Sequence, residues 1–120
     1  MDAEELKDRT KQFGLRVIRV VRALPETVET RAIAQQLVRS GTSVGANYRA
    51  ACRARSRAEF IAKIGVVEEE ADESAYWLEM IIESDMMDQA RIQPLLKEAY
   101  DLTAIVAKSR VSAKRNHQKP

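Results

Sequence analysis

A chain of 120 residues has room for one domain and one core, which excludes a second globular unit. Charged residues at 32% beside 45% hydrophobic ones exclude a disordered chain, and aromatics at 5% exclude an aromatic core. The net charge of +2 conceals a segregation: 12 basic and 6 acidic side chains over residues 1–58, 3 and 12 over 59–101, and 5 basic with none acidic over 102–120.

The first helix is readable from its period. Leu6, Thr10, Phe13, Val17, Val20 and Leu24 recur at steps of three and four and trace one apolar edge, predicting a helix over 3–24. Pro25 ends it, because proline disfavours helix in the residue before it. A second helix over 27–54 opens at Thr27, whose hydroxyl can cap it, and carries Val28, Ile33, Leu37, Val44, Tyr48 and Cys52. The stretch from Ser40 to Asn47 disturbs that reading. Its two glycines cost roughly 1 kcal/mol each relative to alanine, so propensity alone predicts a loop. A helix whose small residues admit a close neighbour, or which kinks at Ser40-Gly41, is the alternative.

Ser56-Arg57-Ala58-Glu59 matches a capping box and starts the clearest helix, over 57–84. Phe60, Ile64, Val67, Ala71, Ser74, Leu78 and Ile81 form its edge. A turn over 84–88 leads to a fourth helix over 89–113, capped by Asp88, with Ile92, Leu95, Ala99, Leu102, Val106 and Ser109 on one side. Pro94 belongs near its first turn or bends it. Residues 114–120 read as a basic, disordered tail. Short connections favour antiparallel neighbours, so the fold class is all-α: an up-down-up-down four-helix bundle over residues 1–113.

Catalytic constellations do not emerge. Di-iron bundles need paired Glu-x-x-His motifs, and the one histidine, His117, lies in the tail. The acidic run Glu68-Glu69-Glu70-Ala71-Asp72-Glu73 fans around a helix axis rather than converging on an ion. Cys52 lacks a neighbouring histidine, and the serines lack a nucleophile motif. The chain therefore reads as non-enzymatic, with no cofactor, metal or small-molecule substrate expected. An acidic N-terminus and the lack of any apolar run near ~20 residues point away from a membrane and to the cytoplasm.

The charge blocks suit either a polyanion-binding face or basic and acidic helices lying side by side. Arg16, Arg19 and Arg22, with Arg9, fall mostly on one side of the first helix. Arg49, Arg53 and Arg57 stand at steps of four, a stripe that continues past the end of the second helix. Lys108, Arg110, Lys114, Arg115 and Lys119 add a basic end. Such cations can track a phosphate backbone of RNA or DNA without sequence preference, although no aromatic is interleaved for base stacking. Tyr76-Trp77 is the densest aromatic spot, one ring placed to finish the core and the other to meet a partner. Ile18, Val21, Ile61, Ile82, Leu96 and Ile105 lie beside the apolar edges, a second greasy face that suggests self-association.

Ser40-Gly41-Thr42-Ser43-Val44-Gly45-Ala46-Asn47-Tyr48-Arg49, then Arg55-Ser56-Arg57-Ala58-Glu59-Phe60, then Glu70-Ala71-Asp72-Glu73-Ser74-Ala75-Tyr76-Trp77-Leu78, resemble the bacterial four-helix bundle protein family. That family takes its name from reading frames inside the intervening sequences of 23S ribosomal RNA genes. The chain is also similar to the accessory variability protein of diversity-generating retroelements. The resemblance implies a helix through Ser40–Asn47, a homopentamer, and a role with RNA or DNA; a protein scaffold without a nucleic-acid partner is the alternative. It marks Ser43, Asn47, Arg55, Ser56, Glu59 and Phe60 as signature positions of structural character. The sequence departs from the pattern at Ala50, where relatives carry glutamate, and at Glu69, which makes the third helix more acidic. Asn47 is expected to be partly buried and to find a partner for its amide.

Overall fold

Each helix opens on a side chain that satisfies one of its orphaned backbone donors. Asp2 Oδ1 accepts the Glu5 N–H at 2.8 Å ahead of α1 (Ala3–Ala23), and Thr27 Oγ1 accepts the Thr30 N–H at 3.1 Å ahead of α2 (Val28–Cys52). Ser56 Oγ accepts the Glu59 N–H at 3.0 Å before α3 (Arg57–Glu83), and Asp88 Oδ1 accepts the Ala90 N–H at 3.2 Å before α4 (Gln89–Gln118). The computed structural model describes residues 1–118, and among them no strand occurs.

The chain turns between helices in short connections, 24–27, 53–56 and 84–88. Connections this short force each helix back along its predecessor. α1 packs lengthwise on α2, α2 on α3 and α3 on α4, whereas α1 meets α4 over a short stretch only. The result is an all-α four-helix bundle, 54 × 22 × 20 Å. No described helix is long and apolar enough to cross a membrane.

The end of α3 shows how the third turn is built. Met86 N–H donates to Ile81 O at 3.1 Å and Asp85 N–H to Ile82 O at 3.1 Å, the paired bonds of a Schellman cap. The cap places Asp85 at φ 59°, the left-handed region where glycine is usual. Met86 then packs against the core.

The four apolar edges converge. Phe13 and Val17, Leu37 and Val44, Ile64 and Leu78, and Ile92 and Leu102 are fully buried, each such side chain worth ~1.5–3 kcal/mol of transfer from water. Three expectations change. Val28, read as part of the α2 edge, is 82% exposed because it begins the helix outside the bundle. Leu96, placed beside the α4 edge, is inside it. The tail expected from residue 114 is helical through Gln118, since buried Ala113 holds the last turns and no breaker interrupts them; Lys119 and Pro120 lie outside the described residues. Pro94 sits on the exposed side of α4, beyond its first turn, so the Ala90 carbonyl that its missing N–H leaves free lies near water.

Residues 40–47 are helical, as the family resemblance implies and propensity does not. The reason is the α1–α2 contact. A Cβ on Gly41 would lie 2.8 Å from Val17 Cγ2, and one on Gly45 3.2 Å from the backbone of Thr10. Gly14 faces the Gly41 carbonyl across the same seam. Gly41 and Gly45 thus let α1 approach α2 more closely than a side chain at either position permits. Buried Ser74 Oγ donates to Ser40 Oγ at 3.0 Å, setting the α2–α3 register with a polar pair.

Candidate nucleic-acid interface

Two kinds of arginine emerge from the packing. Arg9, Arg39 and Arg110 lie at helix–helix edges and are neutralised there. Arg9 makes a two-pronged pair with Glu98, both bonds 2.7 Å, with Asp101 at 4.0 Å, and ties α1 to α4. Arg39 bridges α2 to Glu70 at 3.2 Å and to Glu73 of α3. Arg110 joins α4 to Glu68 of α3 at 2.6 Å. All three guanidiniums are held above their ordinary pKa, in each case first by the hydrogen bond to the partner carboxylate. Basic and acidic helices therefore do lie side by side. Arg9 and Arg110, read from sequence as part of basic stripes, face carboxylates instead.

The other kind points to solvent. Arg16, Arg19, Arg22, Arg49, Arg53 and Arg57 have no carboxylate within ion-pair distance among the described residues. Arg16 is half-buried and the other five are exposed. They do not form one stripe. α2 ends at Cys52, Arg53 is its cap, and Arg57 begins α3, so the steps of four lose their helical meaning between 53 and 57. Arg49 lines a groove between α1 and α2, whereas Arg57 shares a shallow one with Phe60 and Ala113.

The α1–α2 groove, about 430 Å³, is lined also by Lys7, Lys11, Leu15, Ile18 and Ala46. Sequence reasoning missed the two lysines. Their signal was a second seam, Lys7, Lys11, Gly14 and Ile18 at steps of four and three, running beside the core edge of α1. It was overshadowed by the arginines.

The signature positions have local structural roles. Ser43 Oγ donates to the Arg39 carbonyl at 2.6 Å, and the half-buried Asn47 donates from Nδ2 to the Ser43 carbonyl at 2.9 Å, so its amide is answered within α2 itself. Ser56 caps α3, but Glu59 turns its carboxylate to Arg55, 3.7 Å away, so one half of the capping box is made. Phe60 packs against the core. Ala50 is half-buried, and Glu69 is exposed without an ion pair among the described residues.

Tyr76 and Trp77 divide between surface and core. Trp77 packs on the core and donates from Nε1 to Glu73 at 3.0 Å, which with Arg39 holds the Glu73 carboxyl below its ordinary range. Tyr76, edge-on to it at 4.9 Å, is 51% exposed. Burial, then the neighbouring Cys52, pushes the Tyr48 hydroxyl well above the usual tyrosine range. Among the described residues no three His, Cys, Asp or Glu side chains gather as a metal site would require.

The family model described as 23S rRNA-intervening sequence protein matches residues 4–108. A crystal structure of a protein of unknown function from the S23 ribosomal protein family of Bacteroides thetaiotaomicron VPI-5482 is similar to the chain. The two are 29% identical with a TM-score of 0.82, over 92% of this chain and 98% of that one. No curated protein matches.

Proposed function

Because the chain belongs to the 23S rRNA-intervening sequence protein family, we propose that it is a non-enzymatic, self-assembling bundle of the cytoplasm that binds RNA or DNA without sequence preference. The observation that supports the binding is the sorting of arginines. Packing neutralises Arg9, Arg39 and Arg110 but leaves Arg16, Arg19 and Arg22 of α1, Arg49 of α2, Arg53 at its cap and Arg57 of α3 without a carboxylate in ion-pair distance among the described residues. Unpaired arginine is the side chain best suited to phosphate, to which it presents a planar fork of donors. The assembled state we propose is the homopentamer that the sequence resemblance implies, which solution mass tests against the 13.6 kDa of one chain.

Binding to generic RNA and to duplex DNA, titrated with salt, tests the reading. The expected result is an affinity falling with a log–log slope of about −0.9 per neutralised phosphate for duplex DNA. Replacing Arg19 or Arg53 by glutamine flattens the slope by about 1 each, equally for all sequences. A protein scaffold without nucleic acid is the second reading, favoured by the exposed Val66, Tyr76 and Met80 of α3. No binding to either polymer at low salt decides for it.

A further inference from the structure

The α1–α2 groove and the outer face of α3 complement each other. The groove floor is glycine backbone, at Gly14 and Gly45, and its walls are aliphatic: Leu15, Ile18 and Ala46. Of the charges at its rim, Lys7 is tied to Glu4 at 2.6 Å, and Asp8 stands beside them. Lys11 and Arg49 have no carboxylate within ion-pair distance among the described residues.

α3 carries the opposite relief. Val66, Glu69, Asp72, Tyr76 and Met80 recur at steps of three and four and so share one face. Val66, Tyr76 and Met80 are the large exposed hydrophobics of this helix, at 37%, 51% and 37%. Glu69 and Asp72 are exposed and unpaired among the described residues, while neighbouring Glu73 is bound inward to Arg39 and Trp77. Single exposed hydrophobics are ordinary, but three aligned on one helix, with the free acids Glu69 and Asp72 between Val66 and Tyr76, form a ridge. Lys11 and Arg49 outnumber the one rim acid without an ion pair among the described residues, Asp8, so an occupant of the groove needs an apolar ridge that also carries acids. A nucleic acid offers the charge without the ridge, and the groove offers no aromatic for its bases.

We propose that α3 of one copy docks along the α1–α2 groove of a second copy, its ridge covering Leu15, Ile18 and Ala46 and its acids facing Lys11 and Arg49. This rests on the self-assembling reading above and names the surfaces that perform it. Groove and ridge are different surfaces, each present once per chain, so repeating the contact head-to-tail builds a ring or filament. It also withdraws Arg49 from the cations left for nucleic acid.

Sedimentation of the full chain tests the docking through two exposed positions, Ala46→Glu in the groove and Met80→Glu on the ridge. Each variant alone is expected at the mass of one chain, 13.6 kDa. An equimolar mixture is expected at twice that mass, because the groove of one variant still accepts the ridge of the other. Should either substitution lose the helical circular-dichroism signal, Arg49→Ala and Tyr76→Ala take their places with the same expectations. A wild-type oligomer whose mass either substitution leaves unchanged, or a mixture that stays at one-chain mass, overturns the docking and leaves self-assembly standing. A wild-type chain at one-chain mass at every concentration overturns both.

Discussion

The same letter has opposite meanings at two positions in this chain. Gly41 faces Val17, whose branched, fully buried side chain has no room to move. Gly65 has only the Arg110 Cδ, at 3.9 Å, near the place where a Cβ would stand. Alanine gains up to about 1 kcal/mol over glycine inside a helix. At Gly65 that gain is unopposed, and Gly65→Ala is expected to stabilise by about 0.5–1 kcal/mol. At Gly41 overpacking wins, and Gly41→Ala is expected to destabilise by about 1–3 kcal/mol. Urea midpoints with unchanged slopes check both. Nothing in the sequence separates these two glycines, because the difference lies in what another helix places opposite them.

Helix ends were more legible than helix contacts, since a cap is a local event. Thr27, Ser56 and Asp88 each accept the backbone donor that their position implies. Ser56→Ala is expected to cost about 1 kcal/mol, seen as a lower urea midpoint. The end of α3 allows the reverse change. Asp85 occupies the left-handed position of the cap, so Asp85→Gly is expected to raise stability by about 0.5–1 kcal/mol, read from the same transition. Where local rules misjudged an element, a tertiary contact explains it. The Ser40–Asn47 segment is a poor helix by propensity and a helix in fact, because Gly41 and Gly45 admit α1. The basic end of α4 looked frayed by charge, yet Ala113 anchors it.

At the scale of the whole bundle, charged side chains tie neighbouring helices together along their length, away from the loops. The Arg39–Glu70–Glu73 group links α2 to α3, and Glu73 lies below its ordinary 4.5, first through the Trp77 N–H and then through Arg39. A carboxylate depressed in the fold contributes stability above its unfolded pKa and loses it as pH falls through the folded value. Wild-type stability is therefore expected to decline below about pH 4.5, and Glu73→Gln to show a shallower acid limb in thermal melts. Tyr100 gives the alkaline counterpart. Its hydroxyl donates to Glu79 at 2.5 Å and is pushed up from 10 to about 12, chiefly by that bond. A raised group contributes fully below its unfolded value, so this α3–α4 link is expected to weaken as pH rises from 10 through about 12, a loss absent from Tyr100→Phe.

Periodicity and capping, both properties of residues three or four apart, were enough to specify four helices, their order and most of the core. The identity of the free arginines was not available from spacing. Arg9 and Arg16 look alike in sequence, yet one meets Glu98 across 89 positions of chain and the other meets no carboxylate among the described residues. Only packing decides which charges are cancelled, because ion pairing falls off within a few ångströms and those ångströms are set by how helices far apart in sequence are laid together.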